Sequence, residues 1–271
     1  MLRYVRYMPV ILLLLLSSLA ALTTHAGAPA QKIETLRVLF IGNSYTGVGS
    51  LDALVPAMVN GGPSRFRMES VRSISGGKDL KYHWEAGDAL EKIRTGKFDY
   101  VILQNNSKTA LEEERRINAR KYTPLFIEAI LKTGATPVIY GTWARKNEPE
   151  KQSEINEFLL GFAGKQKALF APVGPAWVRS LEAKSDLILH CADKSHPDGT
   201  GVYLNACVFY AVLTGESPVD VPHRTITMRM RHPDTGKGLP YIIDVTFDEP
   251  TARHFQEVAR EVVEVYRNKL R

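Results

Sequence analysis

Three side chains in this sequence have the types that nucleophilic chemistry at an acyl group requires. Ser44 follows an apolar run and Gly42-Asn43, while Asp193 and His196 share one short segment near the other end of the chain. A serine hydroxyl needs an imidazole to accept its proton and a carboxylate to hold that imidazole in the correct tautomer. The sequence therefore offers Ser44 as nucleophile, His196 as base and Asp193 as the residue that orients the base.

The segments around Ser44 predict a strand followed by a helix. Residues 36–41 are an apolar run of strand length bounded by Gly42. Residues 51–59 repeat apolar side chains at helical spacing, with Ser50 as the expected N-cap. Ser44 would then lie at the carboxyl end of a strand, where ligands bind in open α/β sheets. Serine is also common in turns for structural reasons, so Ser44 gains weight only through its pairing with Asp193 and His196.

Four blocks of the sequence resemble those of the SGNH/GDSL hydrolases. In chain order they are Gly42-Asn43-Ser44 after the first predicted strand, Ser75-Gly76 after the second, an asparagine-containing turn after the third, and Asp193-x-x-His196-Pro197. The last block continues as the family's does into its closing helix, through Gly201, Tyr203-Leu204 and Ala206. The resemblance covers about residues 36–218.

The resemblance implies an α/β fold, a flavodoxin-like three-layer α/β/α sandwich with a central, mostly parallel five-stranded sheet. It also implies ester hydrolysis, with Ser44, His196 and Asp193 in the roles given above. The oxyanion hole would consist of the backbone amides of Ser44 and Gly76 and the side chain of Asn106. No cofactor and no metal would be needed.

The third block departs from the family pattern. The family usually has Gly-x-Asn-Asp at this place, whereas this chain has Gln104-Asn105-Asn106-Ser107. Alignment of Gln104 with the glycine makes Asn106 the oxyanion donor. Gln104 and Asn105 stay open as alternatives, since each also carries an amide NH2 group.

Other interpretations of the same residues concern metals, nucleotides and disulfides. His190, Cys191, Asp193 and His196 have side chains that can bind zinc, although the sequence after His196 fits the hydrolase pattern better. The run 42–49 lacks the Lys-Ser/Thr and the third glycine of phosphate-binding loops. Cys191 and Cys207 are a possible disulfide, with burial of one as a small apolar residue as the alternative.

Several large side chains follow predicted strand ends and could line a substrate pocket. Tyr45, Trp143 and Arg145 are the predicted substrate-binding residues, and His83 and Trp84 lie in similar places. The alternative is that these aromatic residues only pack against the sheet.

The first 30 residues predict a signal peptide. Arg3 and Arg6 precede an apolar stretch over 10–22, and small residues suit cleavage after Ala26 or Ala30. We therefore expect a secreted or periplasmic protein without stable membrane insertion after cleavage, an uncleaved anchor being the alternative. Loss of the two arginines would lower the net charge from +6 to +4. The remaining basic residues are scattered along the chain, so we expect no nucleic-acid partner.

Residues 31–271 are predicted to form one domain with alternating strands and helices, and therefore a parallel sheet covered on both faces. The further predicted strands are 65–72, 99–103, 137–140 and 169–171; the predicted helices are 84–94, 111–132 with an interruption near Pro124, 150–162 and one beginning near Gly199. A hairpin extension over about 220–248 has strands 225–231 and 241–247 around a turn at 234–238. A closing helix over about 249–270 carries Pro250 in its first turn.

Together these observations predict an exported serine esterase that hydrolyses short-chain, above all acetyl, esters of small molecules or polysaccharides. No long apolar insertion interrupts the α/β pattern to receive a long acyl chain. The alternatives are a non-catalytic or weakly active binding protein of the same fold, and a lipid-acyl esterase. The sequence does not indicate the oligomeric state.

Overall fold

The computed structural model describes residues 33–164, 167–230 and 241–270. Five strands form its central sheet: β1 (Glu34–Gly42), β2 (Phe66–Ile74), β3 (Tyr100–Leu103), β4 (Thr136–Tyr140) and β5 (Leu169–Ala171). All neighbouring strands are parallel, in the order β2-β1-β3-β4-β5. The predicted α/β fold with a parallel five-stranded sheet is confirmed.

Helices cover both faces of this sheet. They are α1 (Ser44–Gly47), α2 (Leu51–Gly61), α3 (Leu80–Ala86), α4 (Asp88–Thr95), α5 (Glu113–Leu131), α6 (Gln152–Leu160), α7 (Val173–Ala183), α8 (Gly199–Thr214) and α9 (Glu249–Lys269). Successive side chains of a strand point to opposite faces. In β1, Val38 and Phe40 accordingly join a core with α2, α7, α8 and α9, whereas Leu39 and Ile41 join a second core with α3, α4, α5 and α6.

The strand order determines at which edge of the sheet a ligand can bind. The chain leaves β1 toward β2 on one side and then crosses to β3 on the other side of β1. In an open α/β sheet this reversal opens a crevice beyond the carboxyl ends of the two strands concerned. The segments that follow β1 and β3 contain Ser44 and Asn106, respectively.

Two predicted helical features are wrong in detail. The helix predicted over 84–94 is two helices, α3 and α4, which meet at Gly87 with a φ of +79° that glycine adopts without strain. Helix α5 runs through Pro124 without the predicted interruption. The carbonyl that loses its hydrogen bond there belongs to the exposed Arg120, where water can replace the lost donor.

Helix α7 was not predicted. Its first turn contains Gly174 and Pro175, which suggest a loop in sequence. Proline is nevertheless tolerated in a first helical turn, where its missing N–H has no intrahelical acceptor. Ser50 does precede α2 as predicted, but it has left-handed backbone angles and its side chain makes no capping hydrogen bond.

The C-terminal hairpin and closing helix are present. Strands β6 (Thr225–Met230) and β7 (Tyr241–Thr246) pair antiparallel, while the predicted turn at 234–238 lies outside the described residues. Ile226 and Met228 of β6 are buried against α8. In α9, Asp248 caps the helix by accepting a hydrogen bond from the Thr251 amide, and Pro250 lies in the first turn.

None of the helices described is long and apolar enough to cross a bilayer. The predicted signal peptide over 1–30 lies outside the described residues, so its cleavage and the export of the protein stay predictions.

Candidate active site

Ser44 is held in place by the residue before it. Asn43 is the N-cap of α1, and its side-chain oxygen accepts a hydrogen bond from the Tyr45 amide at 3.1 Å. The Asn43 side-chain nitrogen donates to the Lys78 carbonyl at 2.8 Å, which joins the start of α1 to the segment after β2. Ser44 therefore lies half-buried at the carboxyl end of β1.

Gln104, at the carboxyl end of β3, fixes Asn43 from the other side. Its Oε1 accepts from the Asn43 amide, and its Nε2 donates to Asn43 Oδ1, both at 2.9 Å. Gly42 permits this contact, since a Cβ there would lie only 2.6 Å from Gln104 Oε1. Sequence reasoning missed this organising role of Gln104. The departure of the third block from its family pattern was the available signal.

Ser44, His196 and Asp193 form a continuous line of hydrogen bonds. Ser44 Oγ lies 2.8 Å from His196 Nε2, and His196 Nδ1 lies 2.5 Å from Asp193 Oδ2. If Nδ1 carries the imidazole proton and donates it to the carboxylate, Nε2 is free to accept from the serine hydroxyl. The structure thus brings together the three residues that the sequence singled out, in the order that serine activation requires.

Asp193 also uses its second oxygen. Its Oδ1 accepts from the amides of Ser195 at 3.0 Å and His196 at 2.9 Å. Partial burial raises the pKa of Asp193, but hydrogen bonds from the His196 ring and these two amides outweigh that effect, so the pKa lies below its usual range. The carboxylate is therefore charged at neutral pH and can stabilise an imidazolium.

The loop that carries both residues closes on itself. His190 and Pro197 form an antiparallel bridge, and the Cys191 amide donates to the His196 carbonyl at 2.8 Å. Lys194 has a φ of +61°, a left-handed conformation that few non-glycine residues adopt. This sharp turn allows Asp193 and His196, only three residues apart, to face each other.

The predicted oxyanion donors have hydrogen atoms to spare. The Ser44 and Gly76 amides donate to no group among the described residues. Asn106 Nδ2 donates one hydrogen to the Gly77 carbonyl at 3.0 Å, which leaves its second hydrogen available. These three groups lie in the segments after β1, β2 and β3, which meet at the same edge of the sheet.

The two alternative amides already take part in buried hydrogen bonds, Gln104 with both of its hydrogens and Asn105 with one. Gln104 Nε2 donates both hydrogens, to Asn43 Oδ1 and to the Asn105 carbonyl. Asn105 is buried and its Nδ2 faces the Thr123 hydroxyl of α5 at 3.3 Å. Gln104 therefore has no side-chain hydrogen left for an oxyanion, whereas Asn105 and Asn106 each keep one, and Asn106 is the less buried of the two.

Tyr45 and Trp143 lie beneath the base loop rather than in an open pocket. Their rings stack with centroids 4.4 Å apart and an interplanar angle of 5°. The Tyr45 hydroxyl lies 2.8 Å from Ser195 Oγ, and Trp143 Nε1 donates to the Ser195 carbonyl at 2.9 Å. Only 3% of Tyr45 and 1% of Trp143 is exposed, so these side chains offer little surface to a ligand, and their role in substrate binding stays a prediction. They brace the residue that precedes His196.

The Tyr45 hydroxyl has a raised pKa. Burial raises it, while the hydroxyls of Ser195 and Ser107 and the Arg145 guanidinium act in the opposite direction without cancelling the burial effect. The phenol is therefore protonated and can donate a hydrogen bond. Neither Ser195 nor Ser107 was identified from the sequence, because a serine in a loop carries no distinguishing pattern.

Arg145, the third predicted substrate-binding residue, is half-buried in the loop after β4. The other two candidate pocket residues are occupied by packing. His83 is buried with its Nε2 2.9 Å from the Gly42 carbonyl, and Trp84 packs edge-on against Phe126 of α5.

The two cysteines are not bonded to each other. Both thiols are free, and Cys191 Sγ donates to the Pro197 carbonyl at 3.2 Å. Cys207 lies in the middle of α8, which is buried almost throughout its length. Burial raises the pKa of the Cys191 thiol to about 12, and that of Cys207 also rises. The predicted disulfide is wrong because Cys207 serves as an apolar core residue.

The zinc interpretation has no geometric support. His190 Nε2 lies 2.9 Å from the Ala144 carbonyl, and its ring packs edge-on against Trp177. Burial lowers the pKa of His190. Within the part of the chain that the structure describes, no three His, Cys, Asp or Glu side chains are placed to hold a metal ion together.

Solved structures of other proteins have a similar fold. No family model and no curated protein sequence matches the chain. Among solved structures, a candidate SGNH hydrolase from Slackia heliotrinireducens superposes with a TM-score of 0.56 at 23% identity, over 66% of this chain and 99% of that protein. A DUF4886 family protein from Bacteroides uniformis gives a TM-score of 0.64 at 16% identity, over 85% and 95%.

An acetylxylan esterase from Geobacillus stearothermophilus superposes with a TM-score of 0.53 at 16% identity, over 69% of this chain and 97% of the esterase. At these identities the likeness concerns the fold. The chain thus has the α/β fold of the SGNH hydrolases, with Ser44, Asp193 and His196 together at the carboxyl edge of its sheet.

Proposed function

We propose that this protein is a serine esterase that hydrolyses short-chain esters, acetyl esters above all, of carbohydrates or other polar alcohols. The observation that carries the proposal is the line of hydrogen bonds from Ser44 through His196 to Asp193. The shared fold supports it, because the same architecture serves a protein named as an acetylxylan esterase.

The first half of the reaction forms an acyl-enzyme. Ser44 Oγ attacks the ester carbonyl carbon while His196 Nε2 takes the hydroxyl proton. Charge that develops on the carbonyl oxygen is stabilised by the amides of Ser44 and Gly76 and by the free hydrogen of Asn106 Nδ2. The tetrahedral intermediate then collapses, the ester C–O bond breaks, and His196 returns the proton to the departing alcohol.

The second half releases the acid. Water attacks the acyl carbon while His196 takes one of its protons, and the same donors hold the oxyanion. Collapse of this intermediate returns the proton to Ser44 Oγ and frees the carboxylic acid. Throughout, the charged Asp193 holds the imidazole in orientation and stabilises its protonated form.

A short acyl group suits the surroundings of His196. The aromatic ring packed against it, that of Tyr45, is itself stacked on Trp143, and both are buried and offer almost no surface to a ligand. Each methylene of a long acyl chain adds about 0.8 kcal/mol only where an apolar wall removes it from water. We therefore propose acetate or propionate as the preferred acyl group.

The departure in the third block does not argue for a non-catalytic binding protein. Gln104 stands where a hydrolase would usually have glycine, yet it organises Asn43 and leaves Asn106 with a free donor. Export of the enzyme is a separate part of the proposal, based on residues 1–30 alone. An N-terminus at Gly27 or Gln31 in the mature protein would support it.

The test is a series of p-nitrophenyl esters from acetate to dodecanoate, assayed with the wild type and with Ser44→Ala. We expect activity to be highest at acetate or propionate, to fall steeply by octanoate, and to disappear in Ser44→Ala. A maximum at eight or more carbons would favour a lipid-acyl esterase. No hydrolysis of any ester by the wild type would contradict the proposal.

A further inference from the structure

We propose that Arg145 is a subsite for a carboxylate on the alcohol part of the substrate, so that the preferred ester is an acylated acidic sugar of the uronic acid type. This inference rests on the proposed esterase function and names its substrate class. Three observations on the loop after β4 support it. The backbone around Arg145 is hydrogen-bonded to the base loop, the guanidinium has no counter-ion among the described residues, and its charge acts on the Tyr45 hydroxyl.

The backbone on both sides of Arg145 is fastened to the base loop. The Ala144 amide donates to Gln152 Oε1 at 2.7 Å, and the Ala144 carbonyl lies 2.9 Å from His190 Nε2. One residue after Arg145, the Lys146 amide donates to the Lys194 carbonyl at 3.0 Å. Arg145 is therefore fixed beside the segment 190–196, which contains both Asp193 and His196.

Among the described residues, no side-chain partner is found for the guanidinium of Arg145. It takes part in no ion pair and donates no side-chain hydrogen bond among the described residues, although guanidinium carries five N–H donors. Arg116, which is also half-buried, pairs with Glu154 at 2.8 Å. The nearby Asp193 carboxylate is already engaged by His196 and two amides. A half-buried cation without a counter-ion indicates a place for an anionic group of a ligand.

The charge of Arg145 acts on a side chain that contacts the base loop. It lowers the pKa of the Tyr45 hydroxyl, opposing the larger effect of burial. That hydroxyl bonds Ser195, the residue before His196, so Arg145 acts on a group in direct contact with the base loop.

A carboxylate matches this cation better than other groups of a sugar ester. The planar guanidinium fork can donate two parallel hydrogen bonds to the two oxygens of a carboxylate. An acetylated uronic acid carries such a carboxylate within one sugar ring of its ester. A neutral sugar offers only hydroxyls, which would leave the Arg145 charge unpaired.

The experiment compares two substrates that differ only in charge: an O-acetylated methyl glucuronoside and the same compound as its glucuronamide. Both fit the same space, so the ratio of their kcat/KM values reports the recognition of charge. We expect the wild type to prefer the acid by about 10- to 100-fold, the range for hydrogen bonds to a charged group. Arg145→Ala should bring the ratio close to one, and Arg145→Lys should give an intermediate value.

Lys146→Ala is the matched control, because it removes an exposed charge from the next residue and should leave the ratio within about twofold of the wild type. A wild-type ratio near one would overturn the inference. So would an unchanged ratio in Arg145→Ala, or an equal loss in Lys146→Ala. Thermal unfolding of each variant confirms that it is folded.

Hydrolysis of p-nitrophenyl acetate separates this inference from the proposed function. If the wild type cleaves that ester and Ser44→Ala does not, the esterase proposal stands whatever the ratio shows. If the wild type cleaves no ester, the esterase proposal fails, and titration calorimetry with glucuronate and glucuronamide decides the subsite. Tighter binding of glucuronate that is lost in Arg145→Ala supports the carboxylate subsite; equal binding overturns it.

Discussion

Ser44 and His196 meet at 2.8 Å, yet the chain holds them in different ways. Ser44 depends on distant partners, since the preceding Asn43 is fixed by Gln104, which lies 61 positions after Asn43 in sequence. His196 depends on near ones, because Asp193 and the turn at Lys194 lie within three residues of it. The nucleophile segment is buried, while 33% of the His196 side chain and 49% of the Asp193 side chain is exposed.

Because of this difference, we expect substitutions near Ser44 and substitutions near His196 to affect different properties of the protein. Substitutions behind Ser44 disturb a buried polar network that belongs to the fold of the sheet, so they should lower the free energy of unfolding. Substitutions of Asp193 and His196 remove partly exposed side chains, so they should affect turnover and leave stability nearly unchanged. The predictions below test this comparison.

The largest effect is expected at the contact itself. Because the three residues act as a unit, Ser44→Ala and His196→Ala should each lower kcat on p-nitrophenyl acetate by about 10⁴-fold. The melting temperature should stay close to that of the wild type. Retention of more than about a tenth of the activity by either variant would contradict the assignment.

A smaller effect is expected at the oxyanion donor. Asn106→Ala removes a hydrogen bond that is made mainly in the transition state, so it should lower kcat by about 10²- to 10³-fold with little change in KM. Steady-state kinetics measure both constants. Asn105→Ala is the control, and a kcat loss of that size in Asn105→Ala but not in Asn106→Ala would move the donor to the neighbouring residue.

Gln104 should behave differently from Asn106 although both follow the same strand. Gln104→Leu leaves the buried Asn43 amide without its acceptor and Asn43 Oδ1 without one of its two donors, which should lower the free energy of unfolding by about 1–3 kcal/mol. Urea denaturation measures this loss. If Gln104→Leu unfolds at the same urea concentration as the wild type, the buried network does not contribute as described.

The smallest effect concerns the brace under the base loop. Tyr45→Phe keeps the ring stacked on Trp143 but removes the hydrogen bond to Ser195, so kcat should fall by about 2- to 10-fold, the value of one neutral hydrogen bond. Ser195→Ala removes the same bond from the other side. If kcat falls equally in Tyr45→Phe, in Ser195→Ala and in the double variant, the two substitutions remove one shared interaction. If the decreases in kcat multiply in the double variant, the proposed hydrogen bond is contradicted.

The fold was predictable where its signals are local. The apolar run of β1, the alternation in β6 and the Pro250 start of α9 each carry a pattern that needs no tertiary context. Helix α7 was missed because Gly174 and Pro175 suggest a loop, and the break at Gly87 was missed because one glycine within a helical pattern does not specify its backbone angles.

The candidate site likewise has residues that the sequence could identify and residues that it could not. Ser44, Asp193 and His196 were identifiable because they belong to blocks with a family resemblance, and the structure brings them into contact. The burial of Trp143 between Tyr45 and Trp177, and of Cys207 within α8, depends on which distant elements cover them. Sequence spacing carries no information on such neighbours.

The central claim is that Ser44 is a nucleophile activated by His196, and covalent labelling tests it most directly. The wild type is incubated with a fluorophosphonate, digested, and analysed by mass spectrometry, with His196→Ala and Asp193→Asn treated in parallel. We predict one phosphonyl adduct on the peptide that contains Ser44, with greatly slowed labelling in both variants. An unlabelled wild type, an adduct on another serine, or labelling at an equal rate in His196→Ala would contradict the account.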